Sequence, residues 1–353
     1  MSKNIIICCD GTSNQYGEQN TNVVKLFSVL KRDLNTQEIY YDPGVGTFSA
    51  HPMLTAIGRR WMKLMGLAFG LGITQNIKDA YKFLMQNYLP GDQVYIFGFS
   101  RGAYTARAIA GLIHKCGLLY RDNENLVPYA LNMYKHRKTG KVTEGFKSNF
   151  SQHCHIYFLG LWDTVSTVGF IWNQVNMNYT TNNESVMNVR HAISIDERRA
   201  FFRQNMFGKA KTDNVKQVWF AGDHCDIGGG YKEQESGLSN IALEWMLKEA
   251  EDLGLIINQN KAKQLLVNFK PDYHIKIHNS LKWYWMPAEI CPKIIKNPKL
   301  HFKRQIYFNL GKRRTIHNDS LIHESVLLKI KECPEYSPTN LPEKYIQEPW
   351  IRY

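Results

Sequence analysis

"VYIFGFSRGAYTARAIAGLIHKCG", residues 94–117, is the stretch that decides the fold. Val94, Tyr95, Ile96 and Phe97 form a short β-branched and aromatic run, the composition of a buried strand. After Ser100 the pattern changes to alanine, isoleucine and leucine at helical spacing. Between the two, Gly98, Ser100 and Gly102 fall on the G-x-S-x-G spacing. A strand that turns this sharply into a helix leaves no room for a Cβ two residues to either side of the serine. Such a turn lifts the serine hydroxyl off the end of the sheet. It also sets the N–H of Arg101, at the start of the helix, to face a developing oxyanion. The stretch predicts Ser100 as a nucleophile.

Working outward, strands are predicted at 4–9, 37–42, 93–99, 155–163 and 215–223. Helices are predicted at 21–32, at 74–88 with Pro90 and Gly91 as its stop, after Ser100, and at 238–254. Strand and helix in alternation give an α/β fold with a mostly parallel central sheet and helices on both faces, and the G-x-S-x-G turn between strand and helix makes the expected fold α/β-hydrolase-like. Residues 48–73, rich in Met, Trp and Gly, read as an insertion, and the Asn-rich 164–190 as loop. Beyond about residue 260 the alternation weakens into a basic, aromatic region and a proline-rich tail. The expected organisation is a catalytic domain over 1–258, with 259–353 packed on the same domain.

A serine of ordinary acidity needs a base, and that base needs an acid to orient it. In "FLGLWDTVS" Asp163 stands where a strand leaves the sheet, and in "VWFAGDHCDIGGGY" His224 follows the next predicted strand. Side chains at the C-terminal ends of parallel strands converge on one crevice, so Ser100, Asp163 and His224 are the expected triad. Asp223 and Asp226 are the rival acids, and His191 and His323 the rival bases. After the first strand, "CCDGTSN" offers the N–H of Gly11 or Thr12 as a second oxyanion donor, with Asp10 bracing the loop. Gly98, Gly102 and Asp226 complete the supporting set. "DHCD" has no matching ligand cluster elsewhere, so neither a metal nor another cofactor is expected.

Composition narrows the setting. Of the 353 residues, 44% are hydrophobic, ample for a sizeable core, and the formal net charge is +13. From Gln259 to Tyr353 there are 17 Lys or Arg against 8 Asp or Glu, so much of the excess lies in the last quarter. A basic surface attracts nucleic acid, anionic lipid or acidic protein, and charge alone does not choose among them. The seven cysteines form no CxxC pair, which argues against a zinc site or a disulfide framework and for a reducing compartment. "MSKNIIICCDG" lacks the pattern of a signal peptide, and the longest apolar run, Leu64 to Ile73, is too short to span a bilayer. The expectation is a protein made in the cytoplasm, with export by a dedicated secretion system left open.

Seven segments in order resemble the α/β-hydrolase domain of the type VI secretion lipase effectors: "CCDGTSN", "TNVVKLF", "YYDPGVGT", "GFSRGAYTAR", "LGLWDTVSTVG", "RHAISIDERRAFF" and "VWFAGDHCDIGGGY". They cover roughly residues 5 to 250. The resemblance implies a serine esterase acting on phospholipid ester bonds, with the nucleophile on Ser100, the acid on Asp163 and the base on His224. His191, Asp196, Glu197 and Arg199 then form a structural cluster beside the site. The implied partner is a phospholipid or other ester. The charge of the last quarter and the Trp61–Phe69 stretch also make an anionic membrane surface an expected partner, although Trp61–Phe69 reads first as a buried helix packed between the sheet and its neighbours. Two alternatives stand beside this one. The first is a hydrolase of a soluble ester or thioester. The second is a non-catalytic module on the same scaffold that uses its basic face for nucleic acid. No nucleic-acid-binding motif is visible, so nucleic acid is not expected. Secretion and immunity partners are not legible in one chain.

Overall fold

Parallel strands buried on both faces read as continuous apolar runs whose alternate side chains feed two cores. That is how this chain folds. The structure is a computed structural model and describes residues 2–11, 17, 19–44, 69–136, 140–165, 169–170, 173–174, 177–208, 214–291, 293–297 and 303–353. Its centre is an eight-stranded sheet. In chain order the strands are β1 (Asn4–Cys9), β2 (Gln37–Asp42), β3 (Gln93–Phe99), β4 (Ile156–Trp162), β5 (Val186–Ser194), β6 (Val215–Phe220), β7 (Ser320–His323) and β8 (Tyr345–Glu348). Across the sheet the order is β8-β7-β6-β5-β4-β3-β1-β2, and every pairing is parallel.

Each strand divides its side chains between the faces. Ile5, Ile7 and Cys9 of β1 join Val94 and Ile96 of β3 in one core, while Ile6, Cys8, Tyr95, Phe97 and Phe99 enter the other. The first core is covered by α2 (Phe69–Asn87) and α3 (Arg101–Cys116), the second by α1 (Asn22–Val29), α5 (Gly237–Glu251) and α6 (Gln259–Asn268), with α4 (His224–Gly228) between. α1 starts on Thr21, whose hydroxyl accepts the Val24 N–H as an N-cap. All seven cysteine thiols are free. No helix among the described residues is long and apolar enough to cross a membrane.

From β1 the chain runs to β2 on one side and then to β3 on the other, which makes the gap between β1 and β3 the topological switch point. A crevice opens there beyond the carboxyl ends of the strands. Asp10 leaves β1 at that point and Ser100 leaves β3.

Three expectations change. The span 164–190 is not loop throughout, because Val186 opens β5, a strand in the middle of the sheet. Its buried Asn188, Arg190 and His191 disguise it, yet Asn188 donates to Tyr157 O at 2.8 Å and Arg190 pairs with Glu249. The helix predicted at 74–88 begins earlier, at Phe69, so the end of the supposed 48–73 insertion is helix; residues 45–68 lie outside the described residues. Strand and helix also return in the last quarter, where β7 pairs with β6, β8 pairs with β7, and α7 (Glu324–Glu332) lies between them.

Candidate active site

Ser100 sits in the turn between β3 and α3 with φ 59° and ψ −118°. A non-glycine residue so far from the allowed regions costs on the order of 1–3 kcal/mol, and the surrounding packing enforces it. A Cβ on Gly98 would lie 2.6 Å from Gly102 O, and one on Gly102 would lie 2.2 Å from Cys9 O. The two glycines therefore let α3 seat on the ends of both β3 and β1, and the serine takes the strain.

His224 is the first residue of α4. Asp223 caps this short helix, accepting the N–H groups of Cys225 and Asp226 at 3.0 and 3.1 Å. Asp226 returns the bond by accepting the Asp223 N–H at 3.0 Å, completing a capping box. The imidazole is buried against the rings of Phe99 and Phe202, 4.7 and 4.8 Å away between centroids, the latter edge-on. Its Nε2 lies 2.8 Å from Ser100 Oγ and its Nδ1 lies 2.6 Å from Asp163 Oδ2.

Asp163 follows β4 with φ 38°, fully buried. Its Oδ1 accepts the Ser194 N–H at 3.0 Å. Both carboxylate oxygens also meet one guanidinium, that of Arg314: Nη1 donates to Oδ1, and Nη2 to Oδ2 at 3.0 Å. Burial alone would raise this carboxyl, but Arg314 and then His224 outweigh it and hold Asp163 well below the usual carboxylate range. An ionised Asp163 can only accept, so Nδ1 of His224 carries the proton and Nε2 offers its lone pair to Ser100. Burial lowers the imidazole below its ordinary 6.5, against the pull of Asp163. His224 is accordingly neutral at pH 7.

The rival groups are engaged elsewhere. Asp223 accepts from Tyr231 Oη at 2.8 Å and from Ser280 Oγ, and Asp226 faces His278 at 2.7 Å. His191 accepts the Thr164 N–H on Nε2 at 3.2 Å. His323, at the end of β7, bonds Ser325 Oγ at 2.8 Å. Of the residues expected to cluster beside the site, Glu197 pairs with Arg199 at 2.7 Å, while Asp196 pairs with Arg313 at 2.7 Å.

Of the residues expected to bind an oxyanion, Arg101 opens α3 directly after the serine. The Gly11 N–H is directed at Asp10 Oδ1, 2.6 Å away, and Thr12 lies outside the described residues. Asp10 is buried and also accepts from Thr21 Oγ1 and Tyr41 Oη at 2.8 Å each, so it ties the loop after β1 to α1 and β2. Among the described residues no group of three or more His, Cys, Asp or Glu is placed to hold a metal ion.

Sequence reasoning missed Arg314, Phe202 and the ring contact of Phe99. Arg314 stands in "GKRRTIH", which reads as one more basic surface run, and no local spacing links it to a residue 151 positions away. In the "DERRAFF" segment Arg199 lies over the nearby Phe202 ring, 3.6 Å to the centroid, and it is the contact of that ring with His224 that only the tertiary fold supplies.

Among solved structures, the Tle1 effector bound to the VgrG spike from the Type 6 secretion system aligns at TM-score 0.47 and 14% identity, covering 88% of this chain and 89% of that one. An uncharacterized protein from Pseudomonas aeruginosa aligns at TM-score 0.46 and 19% identity, covering 78% and 49%. An uncharacterized protein of Saccharomyces cerevisiae is 36% identical over 223 residues, 58% of this chain and 33% of the relative. The chain thus spans about a third of that curated relative's length. Residues 3–249, well over half of the chain, match the family described as "T6SS, Phospholipase effector Tle1-like, catalytic domain". On that match, the chain belongs to the Tle1-like phospholipase effector catalytic-domain family.

Proposed function

We propose that the protein is a serine esterase that hydrolyses ester bonds of phospholipids through Ser100, His224 and Asp163. The observation that carries this reading is the continuous line of hydrogen-bonding groups, Ser100 Oγ to His224 Nε2 at 2.8 Å and His224 Nδ1 to Asp163 Oδ2 at 2.6 Å. It sits on a strained strand-to-helix turn at the switch point of the sheet.

In this reading Ser100 Oγ attacks the ester carbonyl carbon as His224 Nε2 takes its proton. Asp163 holds the Nδ1–H tautomer and stabilises the imidazolium. The carbonyl oxygen becomes an oxyanion facing the Arg101 N–H, with a second donor from the Gly11–Thr12 loop, where the Gly11 N–H must leave Asp10 to take part. Collapse expels the alcohol, which leaves with the proton from His224. A water molecule, deprotonated by His224, then attacks the acyl-enzyme, and the carboxylic acid departs as Ser100 regains its proton. We also take residues 1–258 and 259–353 to act as one catalytic unit, and the charge of the latter to favour an anionic bilayer.

The test is acid release from anionic vesicles, zwitterionic vesicles and a short-chain soluble ester, for the wild type and Ser100→Ala. The expected result is hydrolysis of vesicle lipid that falls at least about 1,000-fold in Ser100→Ala. Serine-dependent cleavage of the soluble ester alone would replace phospholipid with a soluble ester as substrate. Folded wild type inactive on all three would remove the esterase reading.

A further inference from the structure

We propose that Arg314, supplied by the C-terminal quarter, is a positioning residue for the reaction: it fixes the carboxylate of Asp163 and sets the pH at which His224 becomes competent. The inference rests on the Ser100–His224–Asp163 reading and extends it beyond residue 249, where the family match ends.

Arg314 is 1% exposed. Four acceptors hold its guanidinium around the acid: Asp163 Oδ1 and Ser194 O on Nη1, Asp163 Oδ2 and Phe202 O on Nη2. The backbone behind it is pinned as well. Asn340 Nδ2 donates to Arg314 O at 3.0 Å and to Ile195 O at 3.1 Å, and the neighbouring Arg313 pairs with Asp196 at 2.7 Å. The 313–315 segment is therefore fastened across the end of β5. A fork that meets both oxygens fixes the plane of a carboxylate, which a single donor cannot do. Here that plane aims Oδ2 at His224 Nδ1.

The same contact divides the charge of Asp163. An imidazolium at position 224 faces the Asp163 carboxylate, with Arg199 and Glu197 near it and the Phe99 and Phe202 rings packed against it. On its other sides Asp163 faces Arg314 and the Ser194 N–H, with His191 on β5 and Arg107 behind that. A guanidinium bound to the carboxylate weakens its hold on the imidazolium proton. Arg314 thus keeps His224 free to act as a base at lower pH, and burial acts in the same direction.

The test is kcat and KM on a short-chain ester from pH 5 to 9, for the wild type, Arg314→Met and Arg314→Lys, with Ser100→Ala as the blank. Arg314→Met is expected to lose about 100-fold in kcat with KM within about 2-fold, and its acid limb should move up by about one pH unit. Arg314→Lys keeps the cation but loses the fork, so kcat falls about 10-fold while the acid limb stays in place. Should the Met variant fail to fold, the Lys variant decides. Wild-type kcat in either folded variant overturns the proposal, as does a loss shared by kcat and KM with no movement of the acid limb in Arg314→Met. Wild-type hydrolysis that does not depend on Ser100 removes the triad and this role together. Ser100-dependent hydrolysis indifferent to Arg314 removes this role alone.

Discussion

Asp163 and Asp223 are both buried beside His224, and their surroundings push them in opposite directions. Asp163 meets the ring and is held ionised by a guanidinium that arrives from the far end of the chain. Asp223 precedes the ring in sequence, caps its helix, and faces hydroxyls and a second carboxylate, Asp226. Burial and then Asp226 raise its carboxyl to about 7. Nearness in sequence thus says little about which acid can brace an imidazolium. In the proposed mechanism the acid is the one whose charge survives burial, and that depends on where the nearest cation lies.

The sharpest way to break the comparison is to neutralise each acid in turn. Asp163→Asn leaves the ring with an amide that can present its NH2 to Nδ1 and favour the wrong tautomer, and it strands Arg314 without its counter-charge. A loss of about 10,000-fold in kcat is expected, by analogy with the same change in other triads, along with several kcal/mol of stability, since removing one partner of a buried ion pair costs about 3–5 kcal/mol. Steady-state kinetics on a soluble ester and urea unfolding read the two effects separately. Retention of activity within about 10-fold in a folded Asp163→Asn protein would falsify the assignment of Asp163 as the acid.

Asp223→Asn should do far less to catalysis, with kcat within about 3-fold, because asparagine caps a helix about as well as aspartate. Its signature lies in stability. A carboxyl whose folded pKa is raised gives stability that is full below its unfolded value of 3.8 and lost as pH rises towards 7. Replacing it removes that loss, so the variant should gain on the wild type by about 1 kcal/mol or more between pH 5 and pH 8. Urea midpoints at the two pH values check this. A constant difference between the proteins would mean that Asp223 ionises freely.

The same contrast explains what could be read before any coordinates. The turn around Ser100 is local: the strand, two glycines, the serine and the helix lie within 24 residues, and sterics alone demand that spacing. Asp163 and His224 are legible one step further out, because each follows a strand and parallel strands deliver their ends to one crevice. β5 was hidden because Asn188, Arg190 and His191 look like surface residues until Tyr157, Glu249 and Thr164 are seen to satisfy them. β7 and β8 are four residues each, too short for periodicity to announce them. Arg314 lay furthest from view, since its meaning comes wholly from a contact across 151 residues.

The comparison extends to the histidines. His224 and His323 are both buried, but only His224 has a carboxylate on its ring nitrogen. His323 stacks on Phe220 at 4.5 Å and bonds Ser325, and burial followed by Arg352 draws its pKa down to about 3. In the folded protein it stays neutral while the unfolded chain takes up a proton near 6.5. Stability is therefore full above 6.5 and falls as pH drops towards 3, by about 1.4 kcal/mol per pH unit for this one group. Asp163 gives no signal in that window, because its depressed carboxyl loses stability only below the unfolded value of 3.8. The carboxyls raised by burial act oppositely but equally in the wild type and in His323→Gln, so they cancel in the difference. His323→Gln should cost about 1 kcal/mol at pH 7.5 through the lost ring contact and recover that cost by pH 5. Parallel curves for the two proteins from pH 7.5 to 4.5 would show that the His323 pocket admits a proton, and that burial without a carboxylate does not suffice to keep a histidine of this fold neutral.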